Sequence, residues 1–256
     1  MLKSMFSAFL MYSRIPVPPV EWKPENRRFS LCFFPVIGAV IGILYVIWWH
    51  IGVKIGLNEL VRGAGATVIP VLVTGGIHLD GFCDVSDAKA SYGDVKKRLE
   101  IMKDSHIGAF AVIDLIIYFI VQTALFSQIR SRQTTGIIAT GFVLSRALSG
   151  LTAVTFRTAK KTGSLQDFTE TAYKKITVTV LTVIAVICCG IIIFSDILSG
   201  IICIISIVFM TIYYKKFSYR TFGGITGDLS GWFLQMCEIT ILAGAVAGEV
   251  LEGVIK

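Results

Sequence analysis

The sequence predicts an all-α integral membrane protein, a polytopic bundle of about seven transmembrane helices with a polar site facing the cytoplasm. Three observations carry this. The chain has 256 residues, 54% hydrophobic and only 16% charged, with a mean hydropathy of +0.75. A soluble domain would be about 45–50% apolar and about 25% charged. The apolar residues fall in runs long enough to cross a hydrocarbon core, which takes roughly 20 helical residues. The cations, finally, are shared unevenly between the segments that join those runs.

The runs place spans at 29–50, 63–79, 107–126, 136–156, 176–194, 197–214 and 232–251. The second is the weakest, because it holds several glycines and Pro70. Only Ser195 and Asp196 separate the fifth from the sixth, which predicts a tight helical hairpin. Arg14, Pro16, Pro18 and Pro19 interrupt the first apolar stretch early, so no cleavable signal peptide is expected. No internal repeat or interdomain linker is visible, and the chain reads as one transmembrane catalytic domain, 1–256.

With the N-terminus in the cytoplasm, the inner segments hold Lys3, Arg14, Lys23, Arg27 and Arg28, then Lys89, Lys96, Lys97, Arg98 and Lys103. Next come Arg157, Lys160, Lys161, Lys174 and Lys175, and finally Lys215, Lys216 and Arg220. The outer segments hold only Lys54, Arg62, Arg130, Arg132 and Lys256. That asymmetry is the positive-inside pattern. It also accounts for the net charge of +7 without nucleic acid, since no basic run is interleaved with aromatic residues. The six cysteines form no CxxC pair and no zinc-ligand spacing with histidine. They read as small buried hydrophobic side chains.

The acids are concentrated where the cations are. Residues 74–87 read TGGIHLDGFCDVSD. Asp80, Asp84 and Asp87 stand at i, i+4 and i+7, one face of a helix, and no proline interrupts 80–104. Like charges stacked so closely destabilise a helix unless a cation offsets them. Magnesium takes oxygen ligands, usually one or two carboxylates with water and substrate phosphates. The plain alternative is a solvated acidic loop paired with Lys89, Lys96 and Lys97, and the spacing leaves both open. His78, two residues before Asp80, is a packing residue or a substrate-binding one.

KKRLEIMKDSHIGAF, 96–110, sets Lys103 and other cations beside these acids, a mixture suited to an anionic substrate bridged by metal. Asp104–Ser105 precedes the third span and is expected to cap it. FGGITGDLSG, 222–231, is not a Walker A loop, but its glycines let backbone approach a ligand, and Asp228 adds a carboxylate on the same side. Asp114, Arg146 and Glu238 fall within spans, where a charge is a functional candidate by default. Chemistry alone supports a cytoplasm-facing, metal-dependent site for a phosphorylated substrate.

TGGIHLDGFCDVSDA followed by RLEIMKDSHIGAF closely resembles the cobalamin synthase family of adenosylcobinamide-GDP ribazoletransferases. SRIPVP at 13–18, FFPVIGAVIG at 33–42, Ser145–Arg146 and GGITGD at 223–228 resemble further stretches of that family, so the match runs from about residue 10 to about 235. The resemblance implies transfer of the adenosylcobinamide phosphate moiety from adenosylcobinamide-GDP to α-ribazole, or its 5′-phosphate, releasing GMP. It also implies Mg²⁺ as cofactor and a multi-pass position in the bacterial inner membrane. On that reading Asp80, Asp84, Asp104 and Asp228 hold metal. Asp80, Asp84 and Asp87 are catalytic, with Asp87 a ligand or the base. Arg14, His78, Lys103 and the Gly223–Gly224 backbone bind substrate. The partners are these substrates and the lipid bilayer, with no nucleic acid, and a homo-oligomer is left open.

The sequence departs from the family pattern at Ala88, usually glycine, at Cys83, commonly alanine, and at His106, usually arginine; the last puts a phosphate contact in doubt. The acids faintly resemble the DxxDG signature of CDP-alcohol phosphotransferases, and an enzyme of that kind is the alternative function. A transporter using Asp114, Arg146 and Glu238 as a buried relay would show paired halves, which this sequence lacks.

Overall fold

The computed structural model describes residues 1–159, 165, 169 and 171–255. Eleven helices are named here among them: α1 (Leu2–Tyr12), α2 (Pro24–Arg27), α3 (Ser30–Lys54), α4 (Glu59–Thr74), α5 (Ile77–Ala90), α6 (Val95–Ile101), α7 (Ala109–Ser127), α8 (Arg132–Thr155), α9 (Lys174–Ser195), α10 (Ile197–Phe222) and α11 (Gly227–Ile255). The described residues form no strand; Thr158 and Ile225 make an isolated bridge. All six cysteines are unpaired.

Six helices, α3 and α7 to α11, are long and apolar enough to cross a membrane. The fourth element departs from the expected single span at 63–79. Gly75 and Gly76 both take left-handed backbone, with φ 66° and 80°, and two such residues cannot continue a helix. α4 therefore stops at Thr74, and α5 leaves it at a bend of 98°.

Contacts at the two ends of the bundle show that α4 still crosses. At one end Arg130 lies 3.8 Å from Glu59, and its backbone N–H donates to Glu249 Oε1 at 3.1 Å. At the other, Arg14 N–H donates to Val73 O at 2.8 Å and Tyr173 N–H to Arg28 O at 3.3 Å. The start and finish of α4 thus lie at opposite ends. Its 16 residues span about 24 Å at 1.5 Å each, and α5 turns off at the second end.

Two boundaries move for local reasons. No glycine or proline falls between Lys215 and Phe222, so α10 continues through these residues until Gly223 ends it in left-handed backbone, φ 76°. α11 begins at Gly227, which puts Asp228 in its first turn rather than in a connector. The expected α9–α10 hairpin is present. Asp196 is extended, and its Oδ1 accepts from Ser199 N–H at 2.6 Å, capping α10.

α8 is the central helix. Small residues let its neighbours close on it; a Cβ at Gly42 of α3 would lie 2.7 Å from Ala139 O. Its Arg146 donates to Glu238 Oε1 of α11 at 2.6 Å, with side chains 1% and 3% exposed, and to Phe142 O at 2.9 Å. Nearer the start of α11, Gln235 Oε1 accepts from Tyr118 of α7 at 2.6 Å, whose hydroxyl oxygen accepts from Gln122 at 3.1 Å. Burying charge among apolar helices is costly, and the pair is tolerated because each charge offsets the other.

Removing one partner leaves the other charge buried and alone. Arg146→Ala should therefore lower stability by about 3–5 kcal/mol, read as denaturant unfolding in detergent. The joint replacement Arg146→Met with Glu238→Leu should cost clearly less than either single change. Equal losses in all three variants would contradict the pairing.

Candidate functional site

The site is built on α5. The Gly75–Gly76 turn is latched from two directions: Thr74 Oγ1 accepts from Gly76 N–H at 3.3 Å, and Arg14 N–H donates to Val73 O. The Arg14 side chain packs over Gly75, closely enough that a Cβ there would collide with it. From this turn α5 runs as a helix from Ile77 to Ala90, so Asp80, Asp84 and Asp87 do share one face. The helix does not continue to Asp104; it breaks after Ala90, and α6 starts at Val95.

α5 docks backbone to backbone on the start of α11. A Cβ at Gly81 would lie 2.7 Å from Asp228 O, and one at Gly231 would lie 3.2 Å from His78 O. This contact brings Asp228 to the α5 acids. Asp84 is half-buried, and burial, then the charges of Asp228, Asp80 and Asp87, push its carboxyl up to about 7. Asp80 is exposed at the rim. Among the described residues neither Asp80 nor Asp84 accepts a side-chain or backbone hydrogen bond.

Asp87 is placed differently from its neighbours. Its Oδ2 accepts from Gly108 N–H at 2.6 Å and its Oδ1 from Ala111 N–H at 2.9 Å. Both oxygens therefore cap the start of α7 and meet its positive dipole end. This corrects the expectation that Asp104 and Ser105 cap that span. Asp104 turns to the solvent instead, where Oδ1 accepts from His106 N–H at 3.0 Å and contacts His106 Nδ1 at 2.7 Å. Those hydrogen bonds hold its carboxyl below the usual range. His106 is almost fully exposed, and the charges acting on Asp84 do not include Asp104.

The remaining expected residues sit as follows. Lys103 is exposed. The Gly223 and Gly224 N–H groups both donate to Ser218 O, closing the end of α10. Ile225 N–H donates to Arg157 O and Ala159 N–H to Ile225 O, each at 2.9 Å, so this stretch is pinned to the segment after α8. His78 is buried at 5% exposure, flanked by Phe34 at 5.6 Å and Tyr12 at 6.2 Å between ring centroids. Burial, then the charge of Arg146, hold its imidazole down at about 3, so it is neutral. Asp114 pairs with Lys89 at 2.9 Å, and Arg146 with Glu238. Asp114, Arg146 and Glu238, the span charges singled out in the sequence, are thus each paired.

A cavity of about 150 Å³ opens beside the acids. Asp80 and Asp228 line its edge, and Tyr12, Phe34, His78, Ser149, Ala153 and Ser230 are among the residues behind them. Tyr12, Phe34, Ser149 and Ser230 were not candidates from sequence. They carry no charge, come from separate helices and share no spacing, so nothing in the sequence marks them. Arg98, one of the cations of 96–110, uses its guanidinium on backbone: it donates to Thr221 O at 3.4 Å and to Ser91 O at 3.5 Å, tying α6 to the end of α10.

The carboxylates here are oxygen donors, the ligand type a hard divalent cation shared with substrate phosphates takes. Among the described residues no three His, Cys, Asp or Glu side chains converge to hold a metal alone. Asp80, Asp84 and Asp228 could contribute oxygens to a cation that substrate phosphates complete.

The chain matches the profile of a family described as cobalamin-5-phosphate synthase over residues 4–246. A protein of Lachnoclostridium phytofermentans named adenosylcobinamide-GDP ribazoletransferase is 43% identical over 255 residues, covering 99% of this chain and 96% of its own. One of the same name from Clostridium botulinum (strain Alaska E43 / Type E3) is 31% identical, covering 96% of this chain and 97% of its own. Another, from Pseudomonas fluorescens (strain Pf0-1), is 31% identical, covering 90% and 92%. No solved structure matches the chain.

The raised Asp84 carboxyl has a stability consequence. Its folded value lies above its unfolded one, so the folded chain binds more protons between the two. Asp84 therefore takes stability away as pH rises from about 4 to about 7, while His78, held neutral in the fold, adds it as pH rises from about 3 to about 6.5. With the first contribution removed, Asp84→Asn should make the melting temperature of metal-free protein rise more steeply with pH than wild type across this window. An unchanged slope in the variant would remove Asp84 as a contributor.

Proposed function

The chain belongs to the cobalamin-5-phosphate synthase family, and we propose that it carries out the ribazole transfer for which its relatives are named. Adenosylcobinamide-GDP would be the donor and α-ribazole, or its 5′-phosphate, the acceptor. The observation that carries this reading is the meeting of the α5 acids with Asp228 beside a slot at one end of a membrane bundle. The two stretches that meet are the ones that resemble the family.

The reaction exchanges one phosphorus–oxygen bond for another. The ribose 5′-oxygen bonds to the phosphorus that stays with cobinamide. The bond from that phosphorus to the bridging oxygen breaks, and GMP departs with that oxygen. The hydroxyl proton passes to Asp84, the half-buried carboxylate beside Asp80 and Asp228. Asp80 and Asp228 would hold magnesium, which when bound supplies charge stabilisation for the pyrophosphate. Asp87 acts by fixing α7 against α5. Arg14, packed over the α5 entry turn, and Lys103 on the exposed rim are the cations assigned to phosphate. Positioning and charge account for most catalysis of phosphoryl transfer.

The whole chain would work as one catalytic unit in the bacterial inner membrane. The cation-rich end carries the site, and the positive-inside pattern puts that end and the N-terminus in the cytoplasm, where nucleotide substrates are found.

Purified protein in nanodiscs, supplied with adenosylcobinamide-GDP, α-ribazole and Mg²⁺, should release GMP only when the corrinoid substrate is present. Asp80→Asn should slow release about a hundredfold or more, the scale of losing one group that stabilises transition-state charge. Chelation by EDTA should abolish it, and added Mg²⁺ should restore it. Unchanged turnover in Asp80→Asn would remove Asp80 from the metal site. Release of CMP from a cytidine substrate, with none of GMP, would instead favour the CDP-alcohol chemistry.

A further inference from the structure

The cavity beside Asp80 and Asp228 has a composition that the acids do not explain. Its edge is acidic, but its interior is walled by Leu31, Phe34, Ala153 and the ring of Tyr12. His78 also lines it. That side chain is 5% exposed, and its Nε2 is buried with no hydrogen-bond partner among the described residues. Buried polar atoms are ordinarily partnered, so an occupant of this slot is expected to bring a polar atom as well as an apolar face.

Size narrows the choice. A cavity of about 150 Å³ walled by Leu, Ile and Phe is large enough to bind benzene. This one, at about 150 Å³, is on the scale of an aromatic ring and far below that of a corrinoid or a whole nucleotide. Among the described residues that line it, none is a Lys or Arg that could meet a phosphate. An aromatic azole fits both demands: ring faces for Phe34 and Tyr12, and a ring nitrogen within the reach of His78 Nε2.

Resting on the transfer reaction proposed above, we infer that this slot is the acceptor subsite, and that it takes the azole base of a ribazole-type riboside. With the base between Phe34, Tyr12 and His78, the ribose lies at the mouth. Its 5′-hydroxyl then reaches the edge formed by Asp80 and Asp228, where the pyrophosphate is held. The donor stays outside, on the open end of the bundle. Acceptor choice would follow from the walls of the slot, above all from Ala153, whose small side chain sets its depth.

Two experiments test this. Ala153→Phe fills the slot, and it should raise KM for α-ribazole at least tenfold while moving KM for adenosylcobinamide-GDP less than twofold. A larger effect on the donor would overturn the assignment. Because that variant adds bulk beside a packed helix, the second test uses Ala153→Cys, a near-isosteric change. Labelling at position 153 by a small methanethiosulfonate reagent is followed by mass spectrometry, with native cysteines as internal controls. α-Ribazole, and benzimidazole as a bare two-ring azole, should slow labelling severalfold. Protection by adenosylcobinamide-GDP alone, or by neither ligand, would overturn the proposal. Protection reads binding only, so the slot stands or falls whether or not GMP is released.

Discussion

The break between α4 and α5 is the constraint on which the rest of the site depends. Backbone inside hydrocarbon must satisfy its own hydrogen bonds, and the residues after Leu79 are too polar to stay there. Gly75 and Gly76 resolve this by taking left-handed backbone, so the chain leaves the crossing direction within two residues. Thr74 and Arg14 hold the turn. α5 can then lie across the end of the bundle, where its acids meet α11 and its far end meets α7.

Like charges are tolerated there because the surroundings divide them. Asp87 is stabilised by two amides at the start of α7. Asp228 stands in the first turn of α11, where the helix dipole favours an anion. Asp114 takes Lys89. Asp80 and Asp84 are left on the face between, with negative neighbours and no donor among the described residues. The remaining attraction for positive charge is thus focused on one edge, next to the slot. Below it, the Arg146–Glu238 pair and the Tyr118–Gln235 hydrogen bond join α7 and α8 to α11. They fix the height at which Asp228 and Gly231 face α5.

Glycine serves the site by allowing close approach. At Gly81 a side chain would strike the Asp228 backbone. Asp84 and Asp228 can influence one another only because these two helices touch without side chains between them. The HLDGFCDVSD stretch therefore encodes a contact surface as well as a row of acids. His78 and Gly81, which make the contact, lie on the face of α5 beside the one that carries the acids.

Much of this was legible in the sequence because it is local. The apolar runs mark the spans, since crossing hydrocarbon demands an uninterrupted length of helix. The i, i+4, i+7 spacing of Asp80, Asp84 and Asp87 puts them on one face, since the helical period allows nothing else. What tertiary structure decided is which of those acids faces what. Asp87 was indistinguishable from Asp80 in spacing, yet it caps α7, while Asp104, which stood next to that helix in sequence, turns to His106. The slot was invisible for the same reason: Tyr12, Phe34, His78, Ala153 and Ser230 come from five helices, and only packing brings them together. Periodicity and charge fix what a segment is; partners far away in the chain fix what each of its side chains can do.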